Sequence, residues 1–171
     1  NEVGKNITVI EYEQDIIVVD CGMGFPDEDM PGIDLVIPDI TYLENNKERI
    51  RGIFLTHGHE DHIGAIPYVL RTVNTPVYGT RLTLGIIENK LAEHKLLGER
   101  TRVTVEAGTI LSLGVFKAEF IRVNHSIADA CCIAVTTPVG VVMHTGDFKL
   151  DVSPIGGEMM DLTRIGEYGR E

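Results

Sequence analysis

The chain has 171 residues, 43% of them hydrophobic and 24% charged, which suits one globular domain and not a disordered or fibrous chain. No apolar run reaches the roughly 18 residues of a membrane-spanning helix, and no secretory signal pattern is visible. The net charge is −11, and residues 1–50 hold 12 acidic and 3 basic side chains, which by itself argues against nucleic-acid binding. Three cysteines, two of them adjacent, form a poor disulfide framework and favour a reducing, cytoplasmic location.

Apolar periodicity and turn residues predict alternating strands and helices along the first hundred residues. Short apolar or β-branched runs predict strands at residues 7–13, 15–20, 50–56 and 76–79, the first two forming a hairpin. Helical spacing of apolar residues predicts helices at residues 38–49, 63–73 and 80–97, the last ending at Gly98.

The pattern of the remaining 71 residues predicts successive strands over residues 101–143, separated by glycine and proline, and a weak helix after Asp151. Because hairpins and crossovers are mixed, the element order predicts an α/β sandwich of sheets covered by helices. Cys131 and Cys132 lie at strand spacing and are interpreted as packing residues and not as metal ligands.

Three of the six histidines fall in one window directly after the predicted strand at 50–56. In an extended backbone, His57, His59 and Asp61 project to the same side, and a turn into the next helix brings His62 towards the same volume. Imidazole and carboxylate together suit Zn²⁺, with iron or manganese as alternatives. A His-rich surface loop is the competing interpretation, and the position at the end of a buried strand argues against it.

Two further polar residues at predicted strand ends are candidates to complete this site. His125 follows the predicted strand at 120–123, and Asp147 follows the strand that ends at Met143. A carboxylate has two oxygens and can therefore bridge two cations, so Asp147 suits a binuclear centre. Alone, each residue is a weak signal, because single histidines are common at surfaces and Gly-Asp pairs are common in turns.

These motifs, taken in order, resemble those of the metallo-β-lactamase superfamily. The segment from His57 to His62 matches its H-x-H-x-D-H signature, and Asp20, His125 and Asp147 stand in the order of its other motifs. The resemblance implies an αββα four-layer sandwich, of which this chain holds a part. It also implies that Asp20 orients a ligand imidazole.

The wider sequence is similar to the ribonuclease J family over nearly the whole chain, in GIDLVIPD at 32–39, THGHEDHIGAIPYVL at 56–70, NHS at 124–126 and HTGDFK at 144–149. This resemblance implies a metal-dependent ribonuclease that acts on RNA as a 5′-to-3′ exonuclease, an endonuclease or both, as a dimer or tetramer. It also implies that residues 1–171 are the N-terminal part of the lactamase-like domain, without the β-CASP and C-terminal regions.

The resemblance implies two zinc ions, with manganese as an alternative, and a bridging hydroxide as the nucleophile. One zinc would be held by His57, His59, His125 and Asp147, and the second by Asp61, His62 and the bridging Asp147. Asp61 and Asp20 are the candidate catalytic residues, Asp20 acting behind a ligand. A further histidine that completes the second site in the family lies outside the 171 residues.

Other functions stay open at this point. A superfamily relative that hydrolyses a small ester, thioester or lactam would use the same two-metal chemistry, since fold does not decide function. A catalytically incomplete fragment is also compatible with the sequence. A non-enzymatic metal scaffold is disfavoured because every motif is intact, and a flavo-diiron oxidoreductase is disfavoured because residue 59 is His and not Glu.

The remaining polar residues near the motifs carry weaker signals. His144 lies at an odd offset from Asp147 and is expected to pack or face solvent, away from the ligands. His94 is expected to be solvated. Ser126 and Lys149 flank ligand positions and are candidates either for phosphate contact or for local hydrogen bonding. Aromatic residues do not alternate with basic ones, so no stacking platform for single strands is predicted.

Overall fold

The computed structural model describes residues 4–98, 101–156 and 158–170. Within these ranges the first sheet has the strand order β1 to β5, at Thr8–Tyr12, Asp15–Val19, Ile50–Phe54, Val77–Gly79 and Arg102–Thr104. The strands β1 and β2 form the predicted antiparallel hairpin, and β2 to β5 run parallel. The second sheet is antiparallel, in the order β6 to β9, at Ile110–Leu113, Phe116–Arg122, Cys131–Thr137 and Gly140–His144.

Helices lie outside the two sheets and complete four layers. Those of the first half of the chain are α1 to α4, at Thr41–Asn45, Glu60–Ile63, Ile66–Thr72 and Arg81–Glu93, with a 3₁₀ turn at Lys47–Arg49. The helix α5, Leu162–Tyr168, packs on the outer face of the second sheet. This arrangement confirms the predicted αββα sandwich. No described helix is both long and apolar enough to span a bilayer.

The alternation of side chains along β2 explains how the layers pack together. Ile17 and Val19 of β2 point into the core between the sheets, where they meet Phe120 of β7. Ile16 and Val18 point the other way, into the core under α3 and α4. A strand buried on both faces is apolar throughout, which is why β2 is a continuous apolar run after its first residue and shows no alternation.

The two adjacent cysteines follow the same rule. Cys131 faces the core between the sheets, and Cys132 faces the core under α5. All three cysteines are free and buried, which agrees with the packing interpretation. Burial holds the pKa of the Cys131 thiol up at about 12, with the neighbouring Cys132 acting in the same direction.

Helix boundaries differ from the predicted ones for local reasons. The helix predicted at 38–49 begins only at Thr41, because Asp39 Oδ1 accepts hydrogen bonds from Thr41 N and Oγ1 at 2.9 and 2.6 Å. The helix predicted at 63–73 is α3, and a separate four-residue helix, α2, precedes it at Glu60–Ile63. The helix predicted to end at Gly98 ends at Glu93, since Lys95 adopts a φ of 60° and Leu96 N donates to Leu91 O at 2.8 Å.

Candidate metal centre

The predicted site residues meet beyond the C-terminal ends of β3, β7 and β9. These strands of the two sheets end on the same side of the sandwich. The chain leaves β3 through Thr56, whose carbonyl accepts a hydrogen bond from Cys131 N at 2.9 Å and so links the two sheets. His125 follows β7 and Asp147 follows β9. Strand ends from both sheets therefore deliver polar side chains to one place.

Three imidazoles converge in the first group. One nitrogen each of His57, His59 and His125 lies within 4.8 Å of the others. The rings meet edge to face, and His125 Nε2 is 3.2 Å from His59 Nδ1. Imidazole nitrogens that approach one another in this way suit a shared divalent cation.

A second group lies beside the first. His57, His62 and Asp147 each offer an atom within 4.8 Å of the others, and Asp61 Oδ2 is 3.5 Å from His62 Nε2. Asp147 faces both groups, since its Oδ1 is 3.5 Å from His62 Nε2 and its Oδ2 is 3.7 Å from His125 Nε2. This placement suits the bridging position expected for Asp147.

Asp20 lies beneath the groups and is fully buried. Its Oδ1 accepts from Thr56 N, and its Oδ2 accepts from Thr56 Oγ1 and faces His62 Nδ1, all at 2.8 Å. With Nδ1–H donated to the carboxylate, Nε2 is the His62 atom that faces Asp61 and Asp147. The structure therefore brings Asp20 to an imidazole of the cluster, as expected for an orienting acid.

Thr56 is a site residue that the sequence analysis missed. Its hydroxyl has one hydrogen, which goes to Asp20, so it accepts from His57 Nδ1 at 3.0 Å. The other nitrogen, His57 Nε2, is buried and has no hydrogen-bond partner among the described residues. A buried nitrogen with a free lone pair is what a divalent cation requires, so the residues present fit a metal. The sequence feature that could have identified Thr56 is its position as the polar residue at the end of an apolar strand.

Electrostatics favour a neutral His57. Burial, followed by the charges of His62, His125 and His59, lowers the pKa of His57 to about 3. Burial also lowers the pKa of His125, against an opposing effect of Asp147. For His62, burial acts to lower the pKa, but the hydrogen bond and charge of Asp20 outweigh it and raise the value. Metal ligation needs neutral imidazole, and His57 is held in that state.

The short helix α2, which carries Asp61 and His62, is held by backbone hydrogen bonds to the segment after β2. Cys21 N donates to His62 O at 2.7 Å, and Met23 N donates to Glu60 O at 3.1 Å. Between these two bonds, a Cβ on Gly22 would lie 1.5 Å from Asp61 O. Glycine at position 22 therefore permits the close approach that places α2.

The residues with weaker signals lie outside both groups. His144 contacts Thr8 Oγ1 at 3.2 Å and is not a member of either group, as expected. The expectation for His94 is wrong, because its ring is partly buried at 5.1 Å from the Tyr68 ring. Ser126 and Lys149 both line a cavity of about 410 Å³ that begins at His125.

Comparison with known proteins gives consistent results. The family described as "Metallo-beta-lactamase superfamily" matches residues 1–155. The chain is 48% identical to Ribonuclease J of Synechocystis sp. over 100% of this chain and 27% of that protein. It is 44% identical to Ribonuclease J of Helicobacter pylori (strain 26695) over 99% of this chain and 25% of that protein. The chain thus spans about a quarter of the length of these relatives.

Solved structures show the same fold at low sequence identity. The metallo-beta-lactamase fold protein YhfI from Bacillus subtilis has a TM-score of 0.60 and 16% identity, covering 84% of this chain and 55% of that one. Human tRNase Z, short form, has a TM-score of 0.58 and 18% identity, covering 84% of this chain and 62% of that one.

Proposed function

The chain belongs to the metallo-β-lactamase superfamily, and from this membership we propose that it carries the metal centre of a ribonuclease of the ribonuclease J type. The single observation that carries the proposal is the convergence of His57, His59, His62, His125 and Asp147 beyond the strand ends of the two sheets. Relatives that are 41–48% identical over this length and are named Ribonuclease J support the choice of RNA as substrate.

We propose two divalent cations, zinc or manganese. His57, His59, His125 and Asp147 would hold one, and Asp61, His62 and Asp147 the other. When bound, such a pair lowers the pKa of a water and offsets the charge that develops on a phosphodiester. The mixed imidazole and carboxylate donors and the unpartnered His57 Nε2 support this assignment.

The chain's own residues prepare the ligands for this task. Asp20 holds the Nδ1 proton of His62, and Thr56 holds that of His57, so both Nε2 atoms face the metal positions. The two oxygens of Asp147 face His62 Nε2 and His125 Nε2, so Asp147 would contribute to both positions. Ser126 and Lys149, on the cavity wall beside His125, are placed to contact a phosphate of the substrate.

The whole protein's partners are a further part of the proposal. We infer that residues 1–171 form the N-terminal part of a lactamase-like domain, because the relatives extend well beyond the matched length. The basic surface that RNA requires would then lie largely in that further portion, since this chain has a net charge of −11. A homodimer or homotetramer, in the cytoplasm, is the expected assembly.

The test combines metal content with substrate choice. We expect close to two metals per chain by elemental analysis, and expect His57→Ala and Asp147→Ala to lose metal and cleavage of 5′-monophosphorylated RNA together. His144→Ala is the matched control, since His144 lies near the site but outside both groups. Hydrolysis of a chromogenic lactam with RNA left intact would refute the proposal in favour of a small-substrate hydrolase. RNA cleavage by Asp147→Ala would refute the two-metal assignment.

A further inference from the structure

Asn6 lies between the segment before β1 and the helix α2, outside every motif of the sequence. Its backbone N donates to Asp61 O at 3.0 Å, and its backbone O accepts from Gly22 N at 2.8 Å. The first bond joins the Asn6 backbone to the metal-centre helix, and the second joins it to the segment after β2. Together they place the Asn6 side chain beside α2.

The side-chain amide of Asn6 is surrounded by atoms of the two α2 residues. Its Nδ2 lies 3.0 Å from Asp61 O, 3.2 Å from Asp61 Oδ2 and 3.2 Å from His62 Nε2. An amide nitrogen has two hydrogens for these three acceptors. With the lone pair of His62 Nε2 on a cation, both hydrogens would go to the Asp61 oxygens.

The same contacts determine how Asp61 is presented. Its carboxylate is partly exposed, so burial alone does not fix the rotamer of the side chain. The bond from Asn6 holds Oδ2 at 3.5 Å from His62 Nε2, so both atoms face the same volume. Groups that orient metal ligands in this way typically change metal affinity by about 10- to 100-fold.

We propose that Asn6 is a positioning residue for the second metal position, where it holds Asp61 beside His62. The inference rests on the proposed function, because it takes Asp61 and His62 as ligands of one cation. It adds that the N-terminal segment before β1 is part of the metal centre. The first position, formed by His57, His59 and His125, has no contact with Asn6 among those the structure describes.

Co²⁺ titration, followed by its visible absorption and by a competing chelator, tests this without any RNA. In Asn6→Ala and in Asn6→Leu, which keeps the branching and number of side-chain heavy atoms but has no amide hydrogens, we expect the weaker binding step, assigned to the second position, to lose about 10- to 100-fold in affinity. The stronger step should be unchanged. Asn46→Ala is the matched control, because Asn46 has a comparable pair of local hydrogen bonds far from the centre.

Three results would overturn the inference. Superimposable titrations of parent and Asn6→Ala, whatever their stoichiometry, would show that the amide does not act on the metal. An Asn6→Leu variant that behaves like the parent would show a packing role. Equal weakening of both steps, with a lower midpoint of urea unfolding in EDTA, would show a structural role. Because Co²⁺ uptake is measured directly, the effect of Asn6 on metal binding can be interpreted even if the protein does not cleave RNA.

Discussion

At the residue scale, the centre depends on groups that control imidazole protons as much as on the ligands. One buried carboxylate, Asp20, faces His62 directly and reaches His57 through the hydroxyl of Thr56. Asp20 itself has a φ of 61°, a left-handed conformation that a non-glycine residue adopts at some cost. Its backbone N still donates to Phe54 O at 2.9 Å, so the strand pairing holds this conformation.

Thr56→Val removes the hydroxyl while it keeps the shape of the side chain. His57 Nδ1 then loses its acceptor and Asp20 Oδ2 loses a donor, both in a buried place. We expect metal affinity to fall by about 10- to 100-fold and the free energy of unfolding to fall by about 1–3 kcal/mol. Chelator competition and urea unfolding measure the two effects. Thr56→Ser keeps the hydroxyl, so its metal affinity and stability should remain near those of the parent. A Thr56→Val variant equal to the parent would contradict the role of this hydroxyl between Asp20 and His57.

At the element scale, close backbone contacts place α2, and buried polar contacts place α5. The helix α2 has four residues and is too short to be stable alone, so its position comes from backbone hydrogen bonds to Asn6 and to the segment after β2. The helix α5 is anchored by Glu119 of β7, which accepts from Arg164 at 2.9 and 2.7 Å and from Tyr168 at 2.6 Å.

Gly22→Ala tests the placement of α2. The added Cβ would lie 1.5 Å from Asp61 O and 2.8 Å from Asn6 N, so the backbone must move. We expect loss of the second metal and a destabilisation of about 1–3 kcal/mol or more, measured by elemental analysis and urea unfolding. Gly85→Ala in α4 is the control, since a Cβ there meets nothing within 4 Å. It should stabilise the helix by about 0.5–1 kcal/mol. Intact metal content in Gly22→Ala would contradict this account.

The variants Glu119→Gln and Glu167→Gln compare the two carboxylates that form ion pairs with Arg164. Glu119 is buried, and the hydrogen bond from Arg164, opposed by burial, lowers the pKa of its carboxyl. We expect its replacement to cost about 1.5–3 kcal/mol. Glu167 is exposed, so its replacement should change stability by less than about 1 kcal/mol. Thermal unfolding of both variants checks the difference, and equal effects would show that α5 is not held by the buried pair.

At the scale of the whole molecule, the two sheets pack on one shared core and meet at the metal centre. Residues from β2, β3, β7 and β8 form the core between the sheets, and the site lies beyond its edge. Titratable side chains of the site therefore lie against an apolar core. Because their protonation affects both folding and ligation, the free energy of unfolding and metal affinity should both depend on pH.

The metal-free chain should lose stability as pH falls from about 6.5 to about 3. Below its unfolded pKa, His57 binds a proton in the unfolded chain but not in the folded one, since burial lowers its folded pKa to about 3. The lowered pKa of Glu119 adds to the loss near the acid end, where its carboxylate becomes protonated. The raised pKa of His62 acts in the opposite direction, because its contribution is present at low pH and lost as pH rises.

Urea unfolding in EDTA at several pH values between 7 and 4 measures this dependence. His57→Gln should flatten the profile, because the group that takes up the proton is then absent. The control is His94→Gln, which removes a histidine directly after α4 that packs on Tyr68, outside the metal centre. A profile that is flat in the parent, or unchanged in His57→Gln, would contradict the assignment.

The sequence by itself determined the fold class, the hairpin and the residues that converge. Strand periodicity and the spacing of His57, His59, Asp61 and His62 are local properties of the chain, so they are readable without coordinates. Their places after predicted strands made His125 and Asp147 candidates, and the family resemblance gave them roles and added Asp20, although the three lie far apart in sequence. Helix ends were predicted less well, because side chains such as Asp39 and a backbone turn at Lys95 set them locally.

Only the tertiary structure decided which distant residues support the centre. Asn6 and Asp61 are 55 positions apart, and Asp20 and Thr56 are 36 apart, so no spacing pattern connects them. Gly22 is one glycine in a loop rich in glycine, and its close approach to Asp61 exists only after the strands have paired. Hydrogen bonds and steric contacts act over a few ångströms in space, whereas periodicity acts over a few residues along the chain. His57, His59, Asp61 and His62 are neighbours along the chain, whereas the groups that orient them come near only in the folded protein.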